Sequence, residues 1–271
     1  MSPANQCASI VIRTRDVERH FIELMLQISS QTLRPSELIV VDNYSSNHAL
    51  NGMIETLQTS KEKFFKNEIC IKLVPIADSE FSHAYSTNAG VSLADCRAVC
   101  ITNAHSLPTS DSWLERGIAN LEDSEVAGVG GYSKPHADGS VWEKLTYEWG
   151  WSRINELSRA YAKDDFFSTV NCVLRKALWE EYHFDEGLLE EIPQARFGGE
   201  DYDWAMEMIE RGNRIIVEPK FAVFHSHGEK LPQLLSKYLV WLRIKSKIKS
   251  LERPRTSTSK LGKSSPRFYE I

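Results

Sequence analysis

The sequence predicts an α/β protein with a doubly wound, mostly parallel central sheet flanked by helices. Short apolar runs rich in β-branched residues alternate with segments that carry apolar residues at helical spacing. The first strand, helix and second strand fit within residues 8–41, and such a βαβ unit joins parallel strands. Most apolar runs end in a polar cluster, which is where α/β sheets gather their ligands.

The elements follow from these runs in chain order. We expect strands over 8–12, 38–41, 69–74, 98–101, 126–131, 166–175 and 214–217. We expect helices over 17–28, 50–57, 113–121 and 202–209, and another that contains 88–93.

Composition excludes several classes of protein. The 271 residues carry a net charge of −5, which argues against a nucleic-acid-binding protein. No run approaches the roughly 20 apolar residues of a membrane span, and no signal peptide is evident at the start. The five cysteines form no CxxC pair, so we expect reduced thiols and a cytoplasmic location, which includes the inner face of a membrane as an alternative.

The chain divides into one large domain and an extension. Residues 1–228 hold the alternating strands and helices, with a first half over about 1–108 and a second half over about 109–228. Residues 229–271 begin with an amphipathic helix and end in a basic, Ser/Thr-rich segment that we expect to be flexible. Such a basic end could contact anionic lipid, or it could be a solvated surface or an oligomer contact.

Four polar clusters stand at strand ends or helix starts. A doubly wound sheet would bring them to one edge. They are Asp42 with Ser45, Asn103 with His105, Glu200 with Asp201, and His225 with His227.

The acidic pair Glu200–Asp201 follows two glycines and opens a helix. The glycines let the backbone bend, and a carboxylate pointed into a cleft is a candidate general base. The alternative is an ordinary acidic residue at a helix N-terminus, which is common.

The histidines His225 and His227 are two residues apart, so a strand would project both to one face. Together with His105 they could hold a transition metal or a phosphate oxygen. The alternative is that they are hydrogen-bonded structural residues. No GxGxxG follows the first strand, and the chain has no P-loop and no GxSxG motif.

The aromatic residues between 132 and 165, Trp149 among them, lie among charged residues. They could stack on sugar rings, or they could cover the sheet.

In their order, these motifs resemble those of the family 2 glycosyltransferases of the GT-A fold, a group that builds bacterial surface polysaccharides. The resemblance covers about residues 8–228. It rests on the segments 9–16, 38–46, 81–90, 184–186, 197–201 and 223–227.

The resemblance implies roles for particular residues. It makes Asp201 the catalytic base, with Glu200 beside it. The residues implied to bind the sugar-nucleotide donor are Arg13, Thr14, Arg15, Asp42, Ser45, Asn88, Asn103 and His105. Those expected to contact the acceptor are Asn171, Trp204 and Trp149.

The chain departs from the family pattern at one motif. The family has Asp-x-Asp there, which binds a divalent metal on the donor diphosphate, whereas this chain has Asn103-Ala104-His105. Asparagine is a poor substitute for a carboxylate, but histidine is a competent ligand for Mn²⁺. We therefore expect a divalent metal, Mn²⁺ or Mg²⁺, to bind at His105 with His225 and His227.

The implied function is inverting transfer of a sugar from a nucleoside-diphosphate sugar to a hydroxyl of a glycan or a lipid-linked acceptor. One alternative is a non-catalytic sugar-nucleotide or glycan-binding protein, prompted by the missing Asp-x-Asp. Another is a sugar nucleotidyltransferase, but 13–16 lacks the glycines that would hold a triphosphate.

Overall fold

The computed structural model describes residues 7–150, 157–162, 167–263 and 266–271. Its strands are β1 Ala8–Thr14, β2 Glu37–Asp42, β3 Cys70–Pro75, β4 Ala98–Asn103, β5 Leu107–Pro108, β6 Val126–Gly130, β7 Ser133–Lys134, β8 Tyr161–Ala162, β9 Asn171–Arg175, β10 Arg214–Val217, β11 Val223–Phe224 and β12 Tyr269–Glu270. Nine of them form one sheet in the order β12-β3-β2-β1-β4-β9-β6-β10-β8.

The helices are α1 Phe21–Ser29, α2 Asn47–Phe65, α3 His83–Ser92, α4 Trp113–Ala119, α5 Val141–Gly150, α6 Lys176–Glu181, α7 Leu188–Glu191, α8 Glu200–Glu210 and α9 Leu231–Lys249. Short 3₁₀ turns occur at Asn120–Glu122, Pro193–Phe197 and Lys260–Lys263.

The core of the sheet is the parallel set β3, β2, β1 and β4. Its strands are apolar on both faces, as buried parallel strands are. Ile10 and Ile12 of β1 pack in the core layer with α1, α2 and α4, whereas Val11 packs in the opposite layer with α3 and α8. The sheet is therefore covered on both sides, which confirms the predicted α/β architecture.

Strand β9 runs antiparallel to both of its neighbours, β4 and β6. Asn171 at its start is paired with Thr102 near the end of β4. The turn that precedes β9 therefore lies at the carboxyl edge of the parallel strands. The sequence predicted a strand over 166–175, but β9 begins only at Asn171, and residues 163–166 lie outside the described part.

A small second sheet joins β5, β11 and β7. Strand β11 pairs Phe224 with Leu107 of β5, and on its other side with Lys134 of β7. Because β5 follows β4 directly and His225 follows β11, this pairing carries His225 to the end of β4.

A disulfide joins Cys7 to Cys96, with their Cα atoms 5.4 Å apart. The expectation that all cysteines are reduced is therefore wrong for this pair. The positions of Cys7 and Cys96 in the sequence did not indicate this disulfide, because the two residues meet only through the pairing of β1 with β4. Cys70, Cys100 and Cys172 are free thiols.

The basic segment after α9 is not a loose tail in its described residues, contrary to the expectation that the end of 229–271 is flexible. Ile244 and Ile248 of α9 are fully buried. Arg253 then donates hydrogen bonds to Asp203 at 2.6 Å and Glu207 at 2.9 Å, both on α8. These two carboxylates are buried and need a cationic partner, which ties the segment to the body.

The last described residues return to the large sheet, where β12 pairs antiparallel with β3. Among the described helices, none has the combination of length and apolarity needed to cross a membrane.

Candidate active site

A cleft of about 440 Å³ opens at the edge of the sheet where β1, β2 and β4 end. Five of the predicted donor-binding residues line it. They are Arg13, Thr14, Arg15, Asn103 and His105. The parallel strands deliver these side chains to one edge, as the strand-end polar clusters suggested.

Arg13 is the central cation of this edge. Its guanidinium donates to Asn103 Oδ1 at 3.1 Å and to Thr87 Oγ1 at 3.0 Å. It also donates to the backbone oxygen and the hydroxyl of Thr169, at 3.2 and 2.9 Å. Nη1 lies 3.9 Å from Glu200 Oε1. Arg13 therefore connects the ends of β1 and β4 with the turn before β9 and with the start of α8.

Thr169 connects Arg13 to Asp201. Its backbone N–H donates to Asp201 Oδ2 at 3.1 Å, while its two oxygens accept from Arg13. The turn is in position because β9 is antiparallel and begins at this edge. No motif in the sequence marks Thr169, so it was not among the predicted site residues.

The carboxylates Glu200 and Asp201 begin α8 after a glycine turn. Gly198 and Gly199 have φ of 116° and 114°, a region that L-residues with side chains rarely adopt. Both carboxylates are buried. Burial and the charge of Glu200 raise the pKa of Asp201 to about 6. Burial also raises the pKa of Glu200, although Arg13 opposes the change.

The two carboxylates face different surroundings. Glu200 lines a neighbouring cavity of about 130 Å³, which also contacts Arg196 and Leu189. The side-chain oxygens of Asp201 accept hydrogen bonds from two backbone N–H groups, that of Thr169 and, at 2.8 Å, that of Tyr202. These contacts orient Asp201 while leaving lone pairs on both oxygens.

The three predicted histidines meet at the end of β4. The ring centroids of His105 and His225 are 4.6 Å apart, and those of His105 and His227 are 5.1 Å apart. One ring nitrogen of each lies within 4.8 Å of the others. Burial and the neighbouring imidazoles hold the pKa of His225 well below its ordinary value. Burial and His105 lower the pKa of His227 in the same way. Neutral imidazoles are the form that binds metals.

Glu18 supports this cluster and was missed by the sequence analysis. Its carboxylate contacts His105 Nδ1 and accepts the backbone N–H of Arg15 at 3.0 Å. Burial would raise the pKa of Glu18, but the hydrogen bond and charge of His105 help to lower it below its usual range. His105 Nε2 is buried without a hydrogen-bond partner among the described residues. The donor set therefore fits a metal ion: three imidazoles, one of them oriented by a carboxylate.

His83 is a third residue of the site that was not predicted from the sequence. It begins α3 and lines both the cleft and the cavity beside Glu200. Burial and the charge of Arg13 lower its pKa, so it is neutral at physiological pH. A neutral imidazole at this boundary is a hydrogen-bond donor or acceptor for a ligand that spans both spaces.

The predicted nucleotide-recognition residue Asp42 is fully buried beneath the cleft. Its Oδ1 accepts the backbone N–H of Asp16 at 2.8 Å, and Asp16 in turn accepts the N–H of Ser45 at 2.8 Å. Burial raises the pKa of Asp42 to about 6. Asp42 and Ser45 therefore shape the loop, whereas Val41 and Asn43 are the residues of this segment that line the cleft.

Besides Asp42 and Ser45, four predicted ligand-binding residues do not line the cleft. Asn88 is buried, where it accepts from Trp179 Nε1 at 3.0 Å and donates to the Phe184 carbonyl at 2.8 Å. This position was expected to bind the donor, but its amide is occupied in the core. Gly90, two residues on, allows α3 to approach the sheet, since a Cβ there would lie 2.9 Å from Val41.

The expected acceptor contacts also lie elsewhere. Asn171 is buried, accepting from Trp113 Nε1 at 3.0 Å and donating to the Phe221 carbonyl at 2.7 Å. Trp204 is fully buried against Phe167, with ring centroids 5.0 Å apart. Trp149 on α5 has the opposite environment and is 97% exposed.

Comparison with known proteins identifies the class of site. Residues 9–182, more than half of the chain, match the family model described as Glycosyl transferase family 2. A search of curated protein sequences finds no match.

Solved glycosyltransferase structures share the fold. The mannosyltransferase PcManGT from Pyrobaculum calidifontis, in complex with GDP-Man and Mn²⁺, superposes with a TM-score of 0.62 at 18% identity, covering 93% of this chain and 67% of that one. Residues 1–349 of S. aureus TarS in complex with UDP superpose with a TM-score of 0.61 at 17% identity, covering 92% of this chain and 67% of that one. Residues 1–349 of TarS in complex with UDP-GlcNAc superpose with a TM-score of 0.56 at 17% identity, covering 92% of this chain and 68% of that one. Identities this low establish a common fold.

Proposed function

The chain belongs to glycosyl transferase family 2 and is a glycosyltransferase, and from that premise we propose that it transfers a sugar, with inversion, from a nucleoside-diphosphate sugar to an acceptor hydroxyl. We assign the acceptor to the glycans or lipid-linked glycans of polysaccharide biosynthesis, by resemblance to the bacterial enzymes of this type. Mannosyltransferase PcManGT and TarS, which share the fold, were solved with GDP-Man and with UDP or UDP-GlcNAc.

The proposal rests on the position of Arg13. Its guanidinium lies between the cleft of about 440 Å³ and the Glu200–Asp201 pair. A diphosphate in the cleft would meet this cation, and charge-assisted hydrogen bonds are the strong contacts for phosphate oxygens. The leaving diphosphate and the Glu200–Asp201 pair would then lie on opposite sides of Arg13.

In this mechanism Asp201 is the general base. It takes the proton of the acceptor hydroxyl as that oxygen forms a bond to the anomeric carbon. The bond from the anomeric carbon to the diphosphate oxygen breaks, and its electron pair leaves with the nucleoside diphosphate. A single displacement of this kind inverts the anomeric centre. A base with a pKa of about 6 is deprotonated at neutral pH and still basic enough to assist.

The leaving diphosphate needs stabilisation of its negative charge. Arg13 supplies a fixed cation, and Asn103 orients it through the 3.1 Å hydrogen bond. His105, His225 and His227 would hold a divalent ion such as Mn²⁺. When bound, that ion supplies positive charge to the diphosphate. Glu18 orients His105 whether the ion is present or absent.

The test is the release of nucleoside diphosphate from a panel of UDP-, GDP- and dTDP-sugars, with Mn²⁺ and with EDTA. We expect slow hydrolysis of at least one donor by the wild-type protein. The Arg13→Ala variant should lose this hydrolysis. Binding of a sugar nucleotide without turnover under either condition would instead support the non-catalytic alternative. No binding and no turnover with any donor would overturn the proposed function.

A further inference from the structure

Helix α9 carries an apolar stripe on the side that faces away from the protein body. Leu235, Tyr238, Leu239 and Leu242 recur at helical spacing, and each is between 46% and 61% exposed. We call these four residues the α9 stripe. A regular exposed apolar face of this kind indicates a binding surface, because scattered exposed leucines show no such periodicity.

The opposite side of α9 already provides its contact with the fold. Ile244 and Ile248 are fully buried there. A Cβ on Gly199 would lie 2.7 Å from Ile244, so this side packs on the glycine turn that leads to Glu200. Helix α9 is thus anchored without the α9 stripe, which is left for an external partner.

Helix α5 presents a similar surface nearby. Val141, Trp142 and Leu145 are exposed, and Trp149 is 97% exposed, all at helical spacing. We call these four residues the α5 stripe. The start of α5 is fixed to the start of α9, since Ser140 Oγ donates to the Glu229 carbonyl at 2.5 Å. The two helices also contact each other directly.

The charge of α9 indicates the chemistry of the partner. The helix contains no aspartate or glutamate, and its cations are Lys237, Arg243, Lys245, Lys247 and Lys249. Arg243 is exposed beside the α9 stripe, and exposed Lys249 continues the line of Leu242 two turns further on. Leucine, tyrosine and tryptophan flanked by lysine and arginine are the composition of helices that lie at a membrane interface.

We propose that the α9 and α5 stripes dock this protein on the surface of an anionic phospholipid bilayer. The apolar side chains would enter the headgroup region while Arg243 and Lys249 contact lipid phosphates. Because α9 packs on the turn before Glu200, docking would hold the acceptor side of the site close to the bilayer. A lipid-linked acceptor would be presented there, but the docking itself does not depend on the proposed reaction.

A second copy of the chain is a poorer fit to this surface. In a two-fold dimer each patch contacts the same patch of the second copy. Arg243 and Lys249 of the two copies would then approach one another, and α9 itself contains no acid to pair with them. Anionic lipid would complement the positive charge of α9, whereas a second copy would bring the same positive charge against it.

Vesicle cosedimentation of the full chain tests the proposal. The vesicles are phosphatidylcholine alone or phosphatidylcholine with phosphatidylglycerol, and no substrate is present. We expect binding to the anionic vesicles at least tenfold above binding to the neutral ones. Binding should fall at least tenfold in the triple variant Leu235→Ser, Leu239→Ser, Leu242→Ser. The double variant Arg243→Glu, Lys249→Glu should lose the preference for anionic lipid.

The matched control changes two exposed apolar residues on another helix, Ile22→Ser with Leu26→Ser on α1, and should bind as the wild type does. Circular dichroism and unchanged nucleoside diphosphate release would show that the triple variant is folded. Equal binding of the triple variant and the wild type would overturn the proposal. So would a wild-type dimer that does not bind vesicles and that the triple variant converts to a monomer. Failure of donor turnover alone would leave the vesicle result intact.

Discussion

His105 Nδ1 donates a hydrogen bond to the carboxylate of Glu18, and this contact determines which ring nitrogen faces the other two histidines. The direction follows from charge, because the lowered pKa of Glu18 leaves it ionised and able only to accept. In the neutral imidazole, Nε2 of His105 is then the nitrogen with a free lone pair, and it has no partner among the residues that the structure describes. An imidazole that a carboxylate orients therefore stands at the position where the family pattern has the second carboxylate of Asp-x-Asp.

Replacing Glu18 by Gln should weaken metal binding about 10–100-fold, the usual effect of removing such a supporting carboxylate. The glutamine keeps the shape but not the charge that fixes the His105 ring. Calorimetric titration of Mn²⁺ and Zn²⁺ measures the change. Glu23→Gln on α1, whose carboxylate contacts His20 instead, is the control. Equal metal affinity of the Glu18→Gln variant and the wild type would show that Glu18 has no positioning role.

Replacing Asp201 by Asn should lower kcat about 10²–10⁴-fold, as expected when a general base is removed. In the wild type, kcat/KM should fall as the pH drops below about 6, because protonated Asp201 cannot accept the hydroxyl proton. The negative charge of Glu200 contributes to that pKa. Glu200→Gln should therefore move the midpoint to lower pH. A midpoint that stays the same or rises in this variant would argue against Asp201 as the titrating base.

Replacing Arg13 by Lys should reduce kcat/KM for the donor about 10–100-fold. Lysine keeps the charge, but its donors all lie on one nitrogen, whereas Arg13 reaches Thr87 from one guanidinium nitrogen and Asn103 and Thr169 from the other. Steady-state kinetics across donor concentrations measure the effect. The exposed Arg34→Lys change is the control. Wild-type kinetics in Arg13→Lys would mean that its charge alone is needed.

Replacing Arg253 by Ala should destabilise the fold by about 3–5 kcal/mol, the usual effect of leaving a buried charge unpaired. Asp203 and Glu207 are both fully buried. Asp203 would lose its ion pair with Arg253, whereas Glu207 would keep its pair with Arg211 at 2.9 Å. Urea unfolding measures the free energy change. Arg34→Ala breaks an exposed pair with Glu68 at 3.6 Å and should have little effect. If both variants unfold at the same urea concentration, the segment after α9 is not a structural part of the domain.

Local patterns in the sequence predicted the elements that depend on them. Buried parallel strands are continuous apolar runs, so β1, β2 and β4 were recognisable together with their polar ends. Parallel strands share one carboxyl edge, which is why Arg13, Asn103 and His105 were expected together and lie together. The histidines of the 225–227 segment joined them through a short pairing of β11 with β5.

The sequence did not predict features that depend on contacts distant in the chain. Glu18 lies in a loop, and nothing near it in sequence marks His105 as its partner. Asn88 belongs to a family-like motif, but only the packing of α3 shows its amide bonded to Trp179 and the Phe184 carbonyl. Arg253 lies in a polar, basic stretch typical of disorder, yet two buried carboxylates on α8 fix it in place.

The central claim is that the three-histidine cluster forms the diphosphate site in place of Asp-x-Asp. The most direct test is calorimetric binding of UDP and GDP, with Mn²⁺ and with EDTA, to the wild type, His105→Ala and His105→Asp. We predict that the wild type binds at least one of these nucleotides at least tenfold more tightly with Mn²⁺. His105→Ala should lose that difference, and His105→Asp should retain part of it. An unchanged dependence on Mn²⁺ in His105→Ala would contradict the account.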